Sequence, residues 1–380
     1  MRRVRPVSSR RRSPQIDWRV GLAAGFVAGG AAATWLGRRQ LTRAISAGRR
    51  YVRRPSSVQR PVLIVNRWSG DGTAERCGLL AEAQARGVET VVLERGDDLR
   101  RLAEDAVARG ADAIGMAGGD GSLGLVAAVA IERDLPFFCV PVGTRNHFAL
   151  DLGLDRDDPL AALAALRGGD ELRIDYGLVG DRVFLNNASF GLYAEAVQRP
   201  EYRGQTAATI MQAVVEALNS KERRPDVRFT SPEGREHTTA AALLVSNNPY
   251  VFSGPPDFGR RERLDGGVLG IGAMAEAPPG EADASSGPIP GLAMGEWEAT
   301  SYRVDAAGGT LAVGVDGEAL QLPAPADLRI IPGMLRMLVP SGTRPGYLTP
   351  RDRAAIHLLD VISLAGAPEP ADGDSPSPSA

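Results

Sequence analysis

Residues 111–132 read ADAIGMAGGDGSLGLVAAVAIE. A short apolar run, residues 111–117, passes into Gly118-Gly119-Asp120-Gly121-Ser122, and residues 123–132 resume with helical spacing. Strand, glycine turn and helix in that order make half of a βαβ unit. Glycines let the backbone approach a ligand closely. The helix that follows presents free N–H groups and the positive end of its dipole. Such a turn is either a phosphate seat or an ordinary glycine-rich turn. Asp120 adds a carboxylate suited to a metal ion or to water ordered on one.

The same texture extends on both sides. Residues 61–65 are apolar and end in Asn66-Arg67-Trp68-Ser69-Gly70. Residues 72–86 have helical spacing, 88–93 read as a strand and 99–109 as a helix. Residues 136–142 form another strand, which runs into Gly143-Thr144-Arg145-Asn146-His147-Phe148-Ala149. Strands alternating with helices predict a doubly wound parallel sheet. The ends of consecutive parallel strands open at one edge, where ligands collect. Thr144 and Asn146 offer a hydroxyl and an amide there, and Arg145 a guanidinium. Three small, polar loops at three strand ends point to a nucleotide crevice.

Past residue 172 strand-like runs follow one another, at 172–179, 182–190, 227–230, 240–245, 268–274, 297–304 and 311–315. One helix is expected at 206–220. This is the pattern of a mostly antiparallel second domain. Residues 278–291 read as a loop, 328–339 as an apolar return to the first domain, 351–364 as an amphipathic helix and 366–380 as a tail. The expected divisions are therefore 1–59, 60–171, 172–325, 326–345 and 346–380.

Charge is distributed unevenly. Residues 1–54 hold fourteen arginines and one acid, Asp17, although the 380-residue chain as a whole is formally −2. Residues 20–36 within that arm are uncharged and apolar, at the short end of the ~17–25 residues that span a bilayer. Trp18 and Trp35 bracket them. A basic arm with an apolar run predicts an anionic membrane surface as partner, with the body on the cytoplasmic face. The apolar run disfavours nucleic acid. Lys221 is the only lysine, so arginine, backbone amides and metal must neutralise any phosphate. Cys77 and Cys139 have no metal-type spacing, and His237 and His357 belong to no cluster.

Asn66-Arg67-Trp68-Ser69-Gly70, the 118–122 turn and the 141–149 segment resemble, in order and spacing, the three ATP-site motifs of diacylglycerol kinase-like lipid kinases. The resemblance continues through Asn186-Asn187-Ala188-Ser189-Phe190-Gly191, Leu264-Asp265-Gly266-Gly267 and Val315-Asp316-Gly317-Glu318, over about residues 60–340. It implies an α/β nucleotide domain followed by a β-sandwich, with ATP in the cleft between them. It implies ATP contacts from Asn66, Ser69, Gly70, Gly118, Gly119, Asp120, Gly121, Ser122 and Thr144, with Asp120 also ordering a Mg2+-linked water network. Asp265, Glu262 and the Gly267 carbonyl would hold a structural Mg2+. Asp316 would be the general base toward a lipid hydroxyl, most naturally that of diacylglycerol, with Glu318 as its substitute. Three departures stand out: Arg67 where the family has proline, His147 where it has aspartate, and the loop after Met274. A NAD kinase and a nucleotide- or lipid-binding pseudokinase are the alternative readings. Oligomeric state stays open, a homodimer included.

Overall fold

Pro61–Val65, Ala113–Gly118 and Phe137–Pro141 are buried along their whole length, as parallel strands covered on both faces must be. The computed structural model describes residues 51, 53–55, 57–192, 194, 225–251, 260–276 and 292–346. The helices expected at 206–220 and 351–364, the loop at 278–291 and the apolar run at 20–36 lie outside them. With Glu89–Val92 at the edge, these strands form the parallel part of a nine-stranded sheet.

The sequence order turns into helices with local reasons. Leu99–Ala108 is capped by Asp98, whose carboxylate accepts the N–H groups of Arg100 and Arg101 at 2.9 and 3.3 Å. Asp120–Glu132 begins three residues before the apolar pattern at 123. Its first turn is the polar Asp120-Gly121-Ser122, which carries no hydrophobic period. The helix expected at 72–86 is two, Thr73–Arg76 and Leu79–Ala85, because Gly78 between them is left-handed at φ +70°.

The sheet runs in the order Arg53–Pro55, Asp170–Val179, Ala326–Val339, Phe137–Pro141, Ala113–Gly118, Pro61–Val65, Glu89–Val92. Asp170–Val179 was expected in the second domain, and the structure corrects this. It is a strand of the first sheet, antiparallel to Ala326–Val339, which pairs in parallel with Phe137–Pro141. Both long strands serve two cores. Leu172 and Ile174 pack in the first, Val179 in the second; Leu335 and Met337 belong to the first, Leu328 and Ile330 to the second. A register shift between Ile331 and Leu335 separates the halves, as a bulge does when a strand must bend.

The second core lies between this antiparallel extension and a six-stranded antiparallel sheet, ordered Leu292–Ala299, Leu269–Glu276, Ala242–Asn247, Asn187–Gly191, Thr310–Val315, Glu318–Pro323. The fold is thus an α/β layer joined to a β-sandwich that share one sheet. Two runs read as single strands are each split. Residues 182–190 become Arg182–Phe184 in the first sheet and Asn187–Gly191 in the second; residues 297–304 divide at Thr300 in the same way. Glu318–Pro323 was not anticipated. It pairs with Thr310–Val315 around Asp316-Gly317, a two-residue turn with φ +48° and +87°, the signs that a type I′ hairpin requires.

Candidate active site

The three loops meet backbone to backbone. Gly70 has φ +56°, and a Cβ there would lie 2.3 Å from the Val142 carbonyl oxygen. A Cβ on Gly143 would lie 2.4 Å from Gly119 Cα. No larger residue fits at either place, so the first, second and third loops close on one another with no side chain between them.

Most of the polar side chains in these loops brace the loops themselves. Asn66 Oδ1 accepts the Trp68 N–H at 3.1 Å, and Ser69 N–H bonds the Asn66 carbonyl at 3.3 Å. Ser122 Oγ donates to the Gly119 carbonyl at 2.8 Å. Asn146, left-handed at φ +52° and buried, donates to the Gly143 carbonyl at 2.7 Å and accepts the Gly143 N–H at 2.9 Å. One N–H and one lone pair of its amide are thereby used inside the loop. Thr144 is exposed and Arg145 half-buried. Arg67, in the proline position, pairs with exposed Glu75 at 2.5 Å, a contact that contributes little in water.

Asp120 does something the sequence did not show. Its Oδ2 accepts the His147 N–H and its Oδ1 the Phe148 N–H, both at 3.0 Å. Asn186 Nδ2 donates to Oδ1 at 3.0 Å. The carboxylate caps the helix His147–Leu152 from outside and ties the second loop to the third. The His147 side chain is exposed, so only its backbone takes part in this bracing.

Asp316 is 8% exposed. Its Oδ2 accepts the Leu185 N–H at 2.8 Å, and its Oδ1 those of Asn186 and Asn187 at 2.8 and 3.0 Å. The crossing between the two sheets therefore folds around this carboxylate. Burial pushes the Asp316 carboxyl up to about 7, against three amides that favour the charged form and with the Asp120 charge adding to the rise. Glu318, the substitute base, is held by Arg182 at 2.6 Å.

Of the set expected to hold Mg2+, Asp265 is paired with a guanidinium. Glu262 is exposed, and Asp265 Oδ1 accepts from Arg263 Nε and Nη2 at 2.9 and 2.7 Å. Gly267 donates its N–H to Asp175 at 2.7 Å. Among the described residues no three His, Cys, Asp or Glu side chains converge. In this turn the Arg263 guanidinium pairs with Asp265 at 2.7 Å. Melting without nucleotide is accordingly expected to be the same with and without a divalent chelator. A drop that added Mg2+ reverses would place a metal in this turn.

The structure gives roles to three residues that sequence reasoning left without one: Arg261, Asp151 and Asn186. Arg261 is wholly buried and pairs with buried Asp151 at 2.7 Å. Nothing in an arginine-rich chain distinguishes it from its neighbours Arg260 and Arg263. Asn186 did carry a signal, as part of a polar Asn-Asn pair inside an otherwise apolar run.

The fold is thus an α/β layer with a glycine-walled crevice, joined to a sandwich that carries a buried carboxylate. A crystal structure of a diacylglycerol kinase from Bacillus anthracis strain Sterne shares it, with a TM-score of 0.52 and 18% identity over 76% of this chain and 99% of that one. At that identity the likeness is one of fold. A "Diacylglycerol kinase" of Mycobacterium tuberculosis strain H37Rv is 34% identical over 132 residues, 34% of this chain. The chain spans 43% of that relative's length. A "Probable lipid kinase YegS-like" of Pseudomonas aeruginosa strain UCBPP-PA14 is 29% identical over 300 residues, 74% of this chain and 95% of the relative. Residues 60–179 match the model of the diacylglycerol kinase catalytic domain. Over that domain the chain is similar to the diacylglycerol kinase-like lipid kinases.

Proposed function

We propose that this protein transfers the γ-phosphoryl group of ATP to a lipid hydroxyl. The observation that carries the reading is Asp316: a buried carboxylate, raised toward neutrality, beside the helix that opens with the glycine turn. Its Oδ2 lies 3.4 Å from where a Cβ on Gly124 of that helix would stand. In this reading the loops at Gly70, Gly119 and Gly143 seat the phosphates against backbone, and Thr144 and Arg145 supply a hydroxyl and a guanidinium to them. Mg2+ bound with the nucleotide supplies neutralisation of phosphate charge. Asp316 takes the proton of the attacking hydroxyl, a role suited to a carboxyl tuned near the working pH.

Diacylglycerol is the first candidate acceptor, since relatives carry that name; others are named only as lipid kinases. Labelled ATP incubated with a total lipid extract, followed by identification of the labelled lipid, tests this directly. Label in phosphatidate supports diacylglycerol, label in another lipid redirects the acceptor, and label in no lipid ends the reading. The base assignment also fixes a pH dependence. The carboxylate must be deprotonated to act, so kcat is expected to rise with pH through about 7 and level off above it. A profile flat across that range removes Asp316 from the chemistry.

The enzyme works at an anionic membrane surface, brought there by residues 1–54. Fourteen arginines against one acid support this, each basic residue near such a surface being worth about 1 kcal/mol. Among the described residues no helix is long and apolar enough to cross a membrane. Membrane recovery of the full chain is expected to exceed that of a version lacking residues 1–54. Equal recovery contradicts the arm's role.

A further inference from the structure

Asn186 stands where the chain leaves one sheet for the other, and it touches both acids of the site. Its backbone N–H donates to Asp316 Oδ1 at 2.8 Å, and its side-chain Nδ2 donates to Asp120 Oδ1 at 3.0 Å. The other end of the same amide, Oδ1, accepts from Arg261 Nη2 at 2.6 Å. An amide can be turned end for end unless its neighbours forbid it. Here they do, since a guanidinium only donates and a carboxylate only accepts. Arg261 therefore determines which way Asn186 faces.

Arg261 is itself held from several directions. Nε donates to Asp151 Oδ2 at 2.7 Å, Nη1 to the Leu185 and Asn247 carbonyls at 2.5 and 2.9 Å, and the Tyr250 ring lies 5.5 Å from the guanidinium carbon. Leu185 is gripped at both ends, its carbonyl by Arg261 and its N–H by Asp316. Asp151 belongs to the helix His147–Leu152, whose first N–H groups are bound by Asp120. One buried cation thus contacts the third loop's helix, the crossing segment and the asparagine that joins the two acids.

We propose that Arg261 is a positioning residue, acting through Asn186 to set the separation of Asp120 and Asp316. Asp120 and Asp316 are each held by backbone N–H groups, and one residue bonds to both. Asn186 is that common element, and Arg261 keeps it aligned. This inference rests on the role of Asp316 as base.

The competing role for Arg261 is only to neutralise Asp151. Asn186→Ala separates the two, because it leaves the Arg261–Asp151 pair intact. Arg261→Lys keeps the charge but cannot span Asp151, Leu185, Asn247 and Asn186 with one ammonium. Asn186→Ala is expected to melt lower, because buried Arg261 Nη2 loses its acceptor, yet when folded to retain nucleotide affinity while kcat falls about tenfold to a hundredfold, the scale of a small misplacement of reacting groups. Folded Arg261→Lys is expected to lose kcat similarly, and the double variant to fall no further than the worse single, as groups acting in series do. Native kcat in Asn186→Ala, or losses that multiply in the double, overturns the proposal. If Arg261→Lys does not fold, Asn186→Ala decides alone. Asp316→Asn is run in the same assay. If it loses turnover while Asn186→Ala does not, only the positioning role falls; if it turns over normally, the base assignment has fallen first.

Discussion

Asp316→Asn is expected to lower kcat at least about a hundredfold, the usual scale of general-base assistance, while nucleotide affinity is retained. The substitution keeps the size of the side chain and removes the proton acceptor. The hydrogen bonds around it refine the expectation. If the asparagine oxygen accepts from Asn186 and Asn187, its NH2 faces the Leu185 N–H, donor against donor. That costs about 1–3 kcal/mol, so the variant melts lower than the native protein. The deficit depends on pH, with a definite sign. The folded-state carboxyl is raised from 3.8 to about 7. Its contribution to stability is therefore full below about 4, declines as pH rises and is lost above about 7. Asparagine has no charge to bury, so the gap in melting temperature narrows as pH is raised through that window. Near-normal turnover in Asp316→Asn, with the protein folded, would falsify the base assignment and turn attention to Glu318.

Asp151→Ala is expected to be the most destabilising single change in the described structure. Arg261 is fully buried and Asp151 is 5% exposed. Burial pushes the Asp151 carboxyl up while Arg261 draws it back down, the behaviour of an acid whose charge depends on its partner. Removing that partner leaves a guanidinium buried without a counter-charge, which costs about 3–5 kcal/mol. Urea unfolding should show the midpoint falling at unchanged slope. Asp151→Ala combined with Arg261→Met removes both charges and is expected to recover part of the loss, though the Leu185 and Asn247 carbonyls then lack their donor. A single variant within about 0.5 kcal/mol of native, the range of ordinary surface changes, contradicts the buried pair's importance.

The parallel half of the fold was readable because its three inner strands are buried on both faces and each leads into a loop that contains glycine. The three loops could be named from their residues, and they do meet. What the sequence concealed has physical causes. Residues 182–190 look like one strand because both halves are apolar; only the tertiary structure sends them to different sheets. Glu318–Pro323 alternates only half-buried and exposed residues, with polar Gln321 within it, and reads as loop. The partners of Asp120 and Asp316 are mostly backbone N–H groups, which every residue carries and no pattern reveals. Asn146 looked like a ligand contact because an amide can point either way, into a site or back onto its own loop. Arg261 was hidden by composition, one arginine among many.

Ala326–Val339 has a consequence for how the chain is made. It lies between Asp170–Val179 and Phe137–Pro141 in the middle of the first sheet. A ribosome delivers residues in order, at ~5–20 per second. Everything that lines the glycine crevice through residue 149 has emerged long before this strand. Until it arrives, Phe137–Pro141 is an open edge with unpaired backbone groups, an invitation to pair with another chain. The nascent protein therefore waits, with its crevice-bearing half unfinished, for a segment encoded nearly two hundred residues downstream of Phe137–Pro141. Chains truncated before residue 326 keep every loop motif yet lack the strand that closes the sheet beneath them.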